Sequence, residues 1–185
     1  MKEVQIYDTT LRDGAQAEGV SFSVEDKLRI VQELDTLGIH YIEGGYAGAN
    51  PKDEEFFKRV RELKLNKSKV TAFGSTRKAG KQAFEDKNLQ HLISAEADVI
   101  TIVGKSWDLH VKDVLKVSKA ENLKMIEDSI QFLVKNGREV IFDAEHFFDG
   151  YKSNPEYAME TLISAINGGA SYLILCDTNG GTMPL

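Results

Sequence analysis

The stretch of this 185-residue chain best suited to chemistry is YDTTLRDGAQAEG, Tyr7 to Gly19, a long polar segment directly after a short apolar run. Arg12 stands beside Asp13 within it. A guanidinium on such a loop can polarise a carbonyl or hold a carboxylate, and the adjacent carboxylate can ligate a divalent cation. The same pair would equally serve as a surface ion pair that steadies a long loop. Further polar groups recur behind apolar runs: Glu43 ahead of Gly44-Gly45, then Lys105-Ser106-Trp107, Glu145-His146 and Asp177-Thr178-Asn179. Glu145 suits proton transfer, but also a solvated loop or a helix cap. His146 can donate to a ligand, bind a metal, or be a hydrogen-bonded structural histidine. Asp-Thr-Asn-Gly-Gly is also ordinary turn chemistry, and Trp107 fits a packing aromatic as well as the rim of a ligand entrance. Cys176 lies in an apolar strand with no His paired to it in sequence, which suits a core residue better than a nucleophile.

These residues need elements to position them. Six short β-branched runs predict strands: Val4–Tyr7, Tyr41–Glu43, Val70–Phe73, Val99–Val103, Val140–Phe142 and Tyr172–Leu175. Helix punctuation fills the intervals. Ser23 precedes Asp26 by three, Ser118 precedes Glu121 by three, and the pairs Asn50-Pro51 and Asn154-Pro155 place a cap before a first-turn proline. Val24, Leu28, Ile30, Val31, Leu34 and Leu37 form one apolar stripe that ends at Gly38, a natural C-cap. Such β-α alternation means right-handed crossovers and a parallel sheet, either doubly wound or closed as a barrel. Tyr7 is followed by no GxGxxG turn, which argues against a dinucleotide fold, whereas polar residues after nearly every strand are where a barrel keeps its active site. The predicted class is therefore an α/β TIM (β/α)8 barrel, with the loops of Arg12, Asp13, Glu145 and Thr178 meeting on one face.

Composition narrows the field. With 23 Lys+Arg against 29 Asp+Glu, the net charge is −6 and no basic face for nucleic acid or an anionic membrane is indicated. The opening MKEVQIYD lacks the apolar core of a signal peptide, and no apolar run approaches the roughly 20 residues of a spanning helix, so a cytoplasmic protein is expected. A complete barrel takes eight strands in about 250 residues. Residues 1–185 are therefore expected to hold only the first six β/α units, the N-terminal part of a catalytic barrel. Thr182 is a candidate N-cap for a further helix running into Pro184 and Leu185.

DTTLRDG, with SFSVEDKLRI behind it, resembles the opening signature of the metal-dependent barrel lyases and acyl-CoA condensing enzymes that include isopropylmalate, homocitrate and citramalate synthases. The resemblance continues through IHYIEGGYAGANPKDEEFF, VTAFGSTRK, ITIVGKSWDLHV, FDAEHFFDGYK and LCDTNGG, and in these phrases it is greatest to the citramalate synthase branch. It implies condensation of acetyl-CoA with a 2-oxo acid, pyruvate in that branch, to give (R)-citramalate and CoA. Isopropylmalate or homocitrate synthesis, an acyl-CoA lyase reaction, or a silent piece that needs a partner chain are the alternatives.

It also implies roles. Arg12 would hold the 2-oxo acid and stabilise the oxyanion, Asp13 would bind the catalytic divalent cation (Mn²⁺, Mg²⁺ or Zn²⁺), and Glu145 would take part in proton transfer. Thr178 would bind the 2-oxo acid carboxylate with Asp177 behind it, His146 would be a lesser contact to substrate, and Glu43 would bind Arg12. Lys105-Ser106-Trp107 would line the acyl-CoA entrance. The family's His-x-His metal pair has no counterpart among His40, His91, His110 and His146 and is expected beyond Leu185, as are the remaining strands and a C-terminal regulatory domain. The full-length protein is expected to be a homodimer.

Overall fold

The computed structural model describes residues 4–48 and 50–183. Its strands are β1 (Tyr7–Asp8), β2 (Tyr41–Tyr46), β3 (Lys69–Ser75), β4 (Val99–Lys105), β5 (Glu139–Glu145) and β6 (Tyr172–Leu175). Its helices are α1 (Val24–Leu37), α2 (Pro51–Val60), α3 (Lys87–Ser94), α4 (Asp108–His110), α5 (Lys119–Lys135), α6 (Phe147–Ser153) and α7 (Pro155–Gly168). The chain divides into two compact units, Met1–Gly74 with His91–Ile100, and Ser75–Gln90 with Thr101–Leu185.

In the first unit β1 pairs with β2 and β2 with β3, both in parallel, as crossover helices require. The α1 start is the expected capping box: Ser23 Oγ accepts from the Asp26 amide and the Asp26 carboxylate accepts from the Ser23 amide. Gly38 closes the helix at φ 89°. The buried face differs from the apolar stripe. It runs through Lys27, Leu28, Val31 and Asp35, while Leu37 is 76% exposed. Both buried charges have partners that make this possible. Lys27 Nζ donates to Asp53 Oδ1 (2.7 Å) and to the Gly44 carbonyl (2.9 Å), and Asp35 accepts from the backbone amides of Asn66, Lys67 and Ser68. Asn50 caps α2 through the Asp53 amide with Pro51 in the first turn, and Phe56, Phe57 and Val60 are buried. β1 is shorter than predicted, because its ladder to β2 covers only Tyr7 and Asp8 and leaves Val4 81% and Ile6 52% exposed.

In the second unit β5 and β6 pair in parallel from Ile141–Tyr172 to Ala144–Leu175. Ser118 and Asn154 cap α5 and α7 as the sequence predicts, the latter with Pro155 in its first turn. The α5 face of Met125, Ile126, Ile130 and Leu133 is buried. After β4 the chain makes α4 and a wider π turn, Val111–Leu115, where the residue pattern carries no helix signal. β6 is half covered, with Tyr172 42% and Leu175 43% exposed. Pro184 and Leu185 lie outside the described residues, so the expected further helix is not described. Thr182 closes a loop, its amide and hydroxyl both donating to the Asp177 carboxylate. No helix among the described residues is long and apolar enough to cross a membrane.

Candidate active site

The first unit holds one charged cluster where strand ends meet the 7–19 loop. Glu43, in the middle of β2, is 1% exposed. It accepts from the Tyr7 hydroxyl at 2.6 Å and from Arg12 Nε. A register shift between Glu43 and Gly45 interrupts the β2–β3 ladder, with Gly45 at φ 149°. A Cβ on Gly44 would come within 2.6 Å of Phe56, so only glycine lets β2 lie this close to α2. The Lys27 ammonium anchors the same bulge through the Gly44 carbonyl. Arg12 is thus held from one side by a buried carboxylate and from another by the Phe73 ring, 4.1 Å from its guanidinium carbon. Its Nη1 donates to Asp13 Oδ1 at 3.1 Å. Asp13 is 62% exposed at its side chain. Beside this group is a cleft of about 420 Å³ whose lining includes Arg12, Gln16, Tyr46 and Phe73.

The second unit holds another cluster. Glu145 ends β5 and its Oε2 is paired with the ammonium of Lys105, which ends β4. His146 follows in the left-handed region (φ 54°), an unfavourable conformation for a residue with a side chain and one that recurs at functional sites. That turn aims its amide at Thr178 Oγ1, 2.9 Å away, so Thr178 keeps its own O–H to donate. Asp149 Oδ2 lies 3.1 Å from His146 Nδ1 and accepts from Asn179 Nδ2 at 3.0 Å. The rings of Trp107, His110 and His146 touch, with His110 and His146 edge to face at 4.6 Å. His110 Nδ1 is buried with no hydrogen-bond partner among the described residues. Burial, and then the charges of His146 and Lys105, hold the His110 imidazole below the ordinary histidine range.

The expectations therefore divide by unit. Arg12, Asp13 and Glu43 are brought together in the first, and Glu145, His146 and Thr178 in the second. Asp177 takes the turn role: its carboxylate closes the 177–182 loop through Thr182. Trp107 packs against imidazoles. Cys176 is not in the core; it is half-buried just beyond β6, and its thiol donates to Asp143 Oδ1 at 2.8 Å. The pairing of Lys105 with Glu145 has no local signal in the sequence beyond each being the last, charged residue of a seven-residue strand.

A cation site is another matter. Among the described residues no group of three or more His, Cys, Asp and Glu side chains is placed to hold a metal ion. Asp13, exposed and engaged with Arg12, is one carboxylate where a divalent cation needs several ligands. The residues present do not by themselves fit a metal site.

Parallel strands joined by helices, with charged side chains on the loops that leave the strands, are the β/α pattern of a barrel-type α/β fold. The solved HMG-CoA lyase from Bacillus subtilis has this fold, with a TM-score of 0.71 at 18% identity, over 94% of this chain and 57% of that one. The HMGL-like family profile matches residues 3–185, and the chain belongs to that family. Within the family it is similar to the (R)-citramalate synthase of Aquifex aeolicus, 59% identical over 183 residues, 99% of this chain. The (R)-citramalate synthase of Geobacter sulfurreducens is 58% identical over 184 residues. The chain spans 35% of the length of each of these two relatives.

Proposed function

We propose that the protein to which this chain belongs condenses acetyl-CoA with pyruvate to give (R)-citramalate and CoA. The observation that carries this reading is the likeness, over nearly the whole chain, to curated (R)-citramalate synthases. In the reaction the acetyl methyl group loses a proton, its carbon bonds to the ketone carbon of pyruvate, the ketone oxygen becomes an alkoxide and takes up a proton, and water cleaves the thioester to release CoA.

Arg12 is assigned to the 2-oxo acid and to the charge that grows on its ketone oxygen, a role for a preorganised cation. The support is its fixed geometry, with Nε committed to buried Glu43 and the guanidinium laid on Phe73. Glu145 is assigned to proton transfer at the acetyl methyl group, and Thr178 to the 2-oxo acid carboxylate through its O–H. His146 acts mainly by fixing Thr178 with its backbone amide. Asp13 is proposed as one ligand to a divalent cation, and no step is assigned to that cation.

The test is CoA release by the complete natural protein, supplied with Mn²⁺ or Mg²⁺ and offered pyruvate, 2-oxobutanoate, 3-methyl-2-oxobutanoate and 2-oxoglutarate in turn. Highest kcat/KM with pyruvate is expected. Preference for 3-methyl-2-oxobutanoate or 2-oxoglutarate would move the assignment to isopropylmalate or homocitrate synthesis.

A further inference from the structure

Lys105 is a partly exposed lysine on an unusually fixed backbone. Its carbonyl accepts from Asn122 Nδ2 at 2.9 Å, and the same amide group, on a fully buried side chain, donates to the Tyr157 hydroxyl at 2.7 Å. The next residue, Ser106, is fully buried, and its amide donates to the Glu145 carbonyl at 3.3 Å, which ties the end of β4 to the end of β5 beside the two charged side chains. The Thr161 hydroxyl lies 3.1 Å from the Ser106 hydroxyl. Gly150 completes the support, since a Cβ there would overlap the Ser106 carbonyl oxygen. Side chains or backbone from α5, α6 and α7 thus hold two residues whose visible product is one ion pair.

Stability does not account for that investment of structure. The side chains of Lys105 and Glu145 are 26% and 27% exposed, and pairs near water contribute little to folding. A carboxylate that must meet a substrate proton, by contrast, gains from having one oxygen pinned, because misplacement by about 1 Å can cost on the order of 100-fold in rate. We infer that Lys105 is a positioning residue for Glu145: the ammonium holds Oε2 and so sets the plane in which Oε1 meets the substrate. This rests on the reading of Glu145 as the proton-transfer group.

The experiment is a double-mutant cycle in the complete natural protein, read as kcat and KM for pyruvate alongside the unfolding midpoint. Glu145→Gln should abolish most turnover. Lys105→Met should lower kcat by about 10–100-fold with KM within about threefold, and should leave the midpoint within about 2 °C. Lys105→Arg, which keeps a cation, should restore most of the rate. In the Glu145→Gln background, Lys105→Met should have no further effect. If Lys105→Met alters folding, Lys105→Gln takes its place in the cycle. Full activity in the lysine variant, or an equal loss whether or not Glu145 is present, would overturn the positioning role while leaving Glu145 in place. Undiminished turnover in Glu145→Gln alone would instead refute the reading beneath it.

Discussion

Replacing Arg12 by Ala is expected to cost stability as well as turnover, and the two losses can be separated. Glu43 is 1% exposed, and Arg12 supplies a cation against it. Removing one partner of a buried ion pair leaves an uncompensated charge and costs about 3–5 kcal/mol. Two features place this site near the lower end of that range: the Tyr7 hydroxyl still donates to Glu43, and Arg12 itself is 18% exposed, so water can enter where the guanidinium was. A loss of about 3 kcal/mol in urea unfolding is therefore predicted for Arg12→Ala. The compensating change is Glu43→Gln, which removes the charge and keeps a similar shape. The double variant Arg12→Ala/Glu43→Gln should recover most of the stability and none of the turnover, because the cation assigned to the transition state is still missing. From the sequence alone Arg12 reads equally as half of a surface ion pair with Asp13, and pairs near water contribute little to folding. A single variant within about 0.5 kcal/mol of wild type would favour that surface pair and refute the reasoning from burial.

Three further outcomes follow from particular contacts. Gly150→Ala should destabilise by about 2 kcal/mol, since the new Cβ meets backbone that cannot swing aside; chemical unfolding reads the loss, and kcat should fall with it through the Lys105 platform. His110 has a folded-state pKa below its ordinary value, so the unfolded chain takes up a proton first as pH falls. Stability should accordingly drop as pH decreases below about 6.5, and the melting temperature of His110→Gln between pH 7 and 5.5 should show a shallower fall. For Asp35, burial opposes ionisation, but the three amides of residues 66–68 hold its carboxyl well below the usual carboxylate range. Its contribution is present above the unfolded value near 4 and is lost as pH falls below it; Asp35→Asn should flatten that acid limb of the stability profile.

Local signals in the sequence carried much of the fold. Caps at Ser23, Asn50, Ser118 and Asn154 and the C-cap at Gly38 are present because each satisfies backbone groups within a few residues. Strand cores were also legible, but their ends were not: β2, β4 and β5 run on into Gly44–Tyr46, Gly104-Lys105 and Asp143–Glu145, since the ladder pairs backbone whatever the side chain. The buried face of α1 turned on Lys27, whose partners lie 17 and 26 residues away, and on Asp35, whose partners lie 31–33 residues away; neither set leaves a local trace. Among the site residues, Arg12 with Glu43 was legible as a pair. The Lys105–Glu145 pair, 40 residues apart, was hidden for the same reason as the α1 charges. His110 stands alone in the sequence, without His-x-His spacing, and its packing on Trp107 and His146 comes from the turn after β4, which carries no sequence signal.

If the complete natural protein is a citramalate synthase, a carbon–carbon bond forms between the acetyl group of acetyl-CoA and the ketone carbon of pyruvate. That bond can be seen by ¹³C NMR of the products when the protein turns over acetyl-CoA labelled at the methyl carbon together with pyruvate labelled at C2. One doubly labelled product is expected, with a one-bond coupling between the two labels, identified as citramalate and lost in Arg12→Ala/Glu43→Gln. Labelled acetate with unchanged pyruvate would rule out the condensation, and the coupled product at an undiminished rate in that variant would remove Arg12 from it.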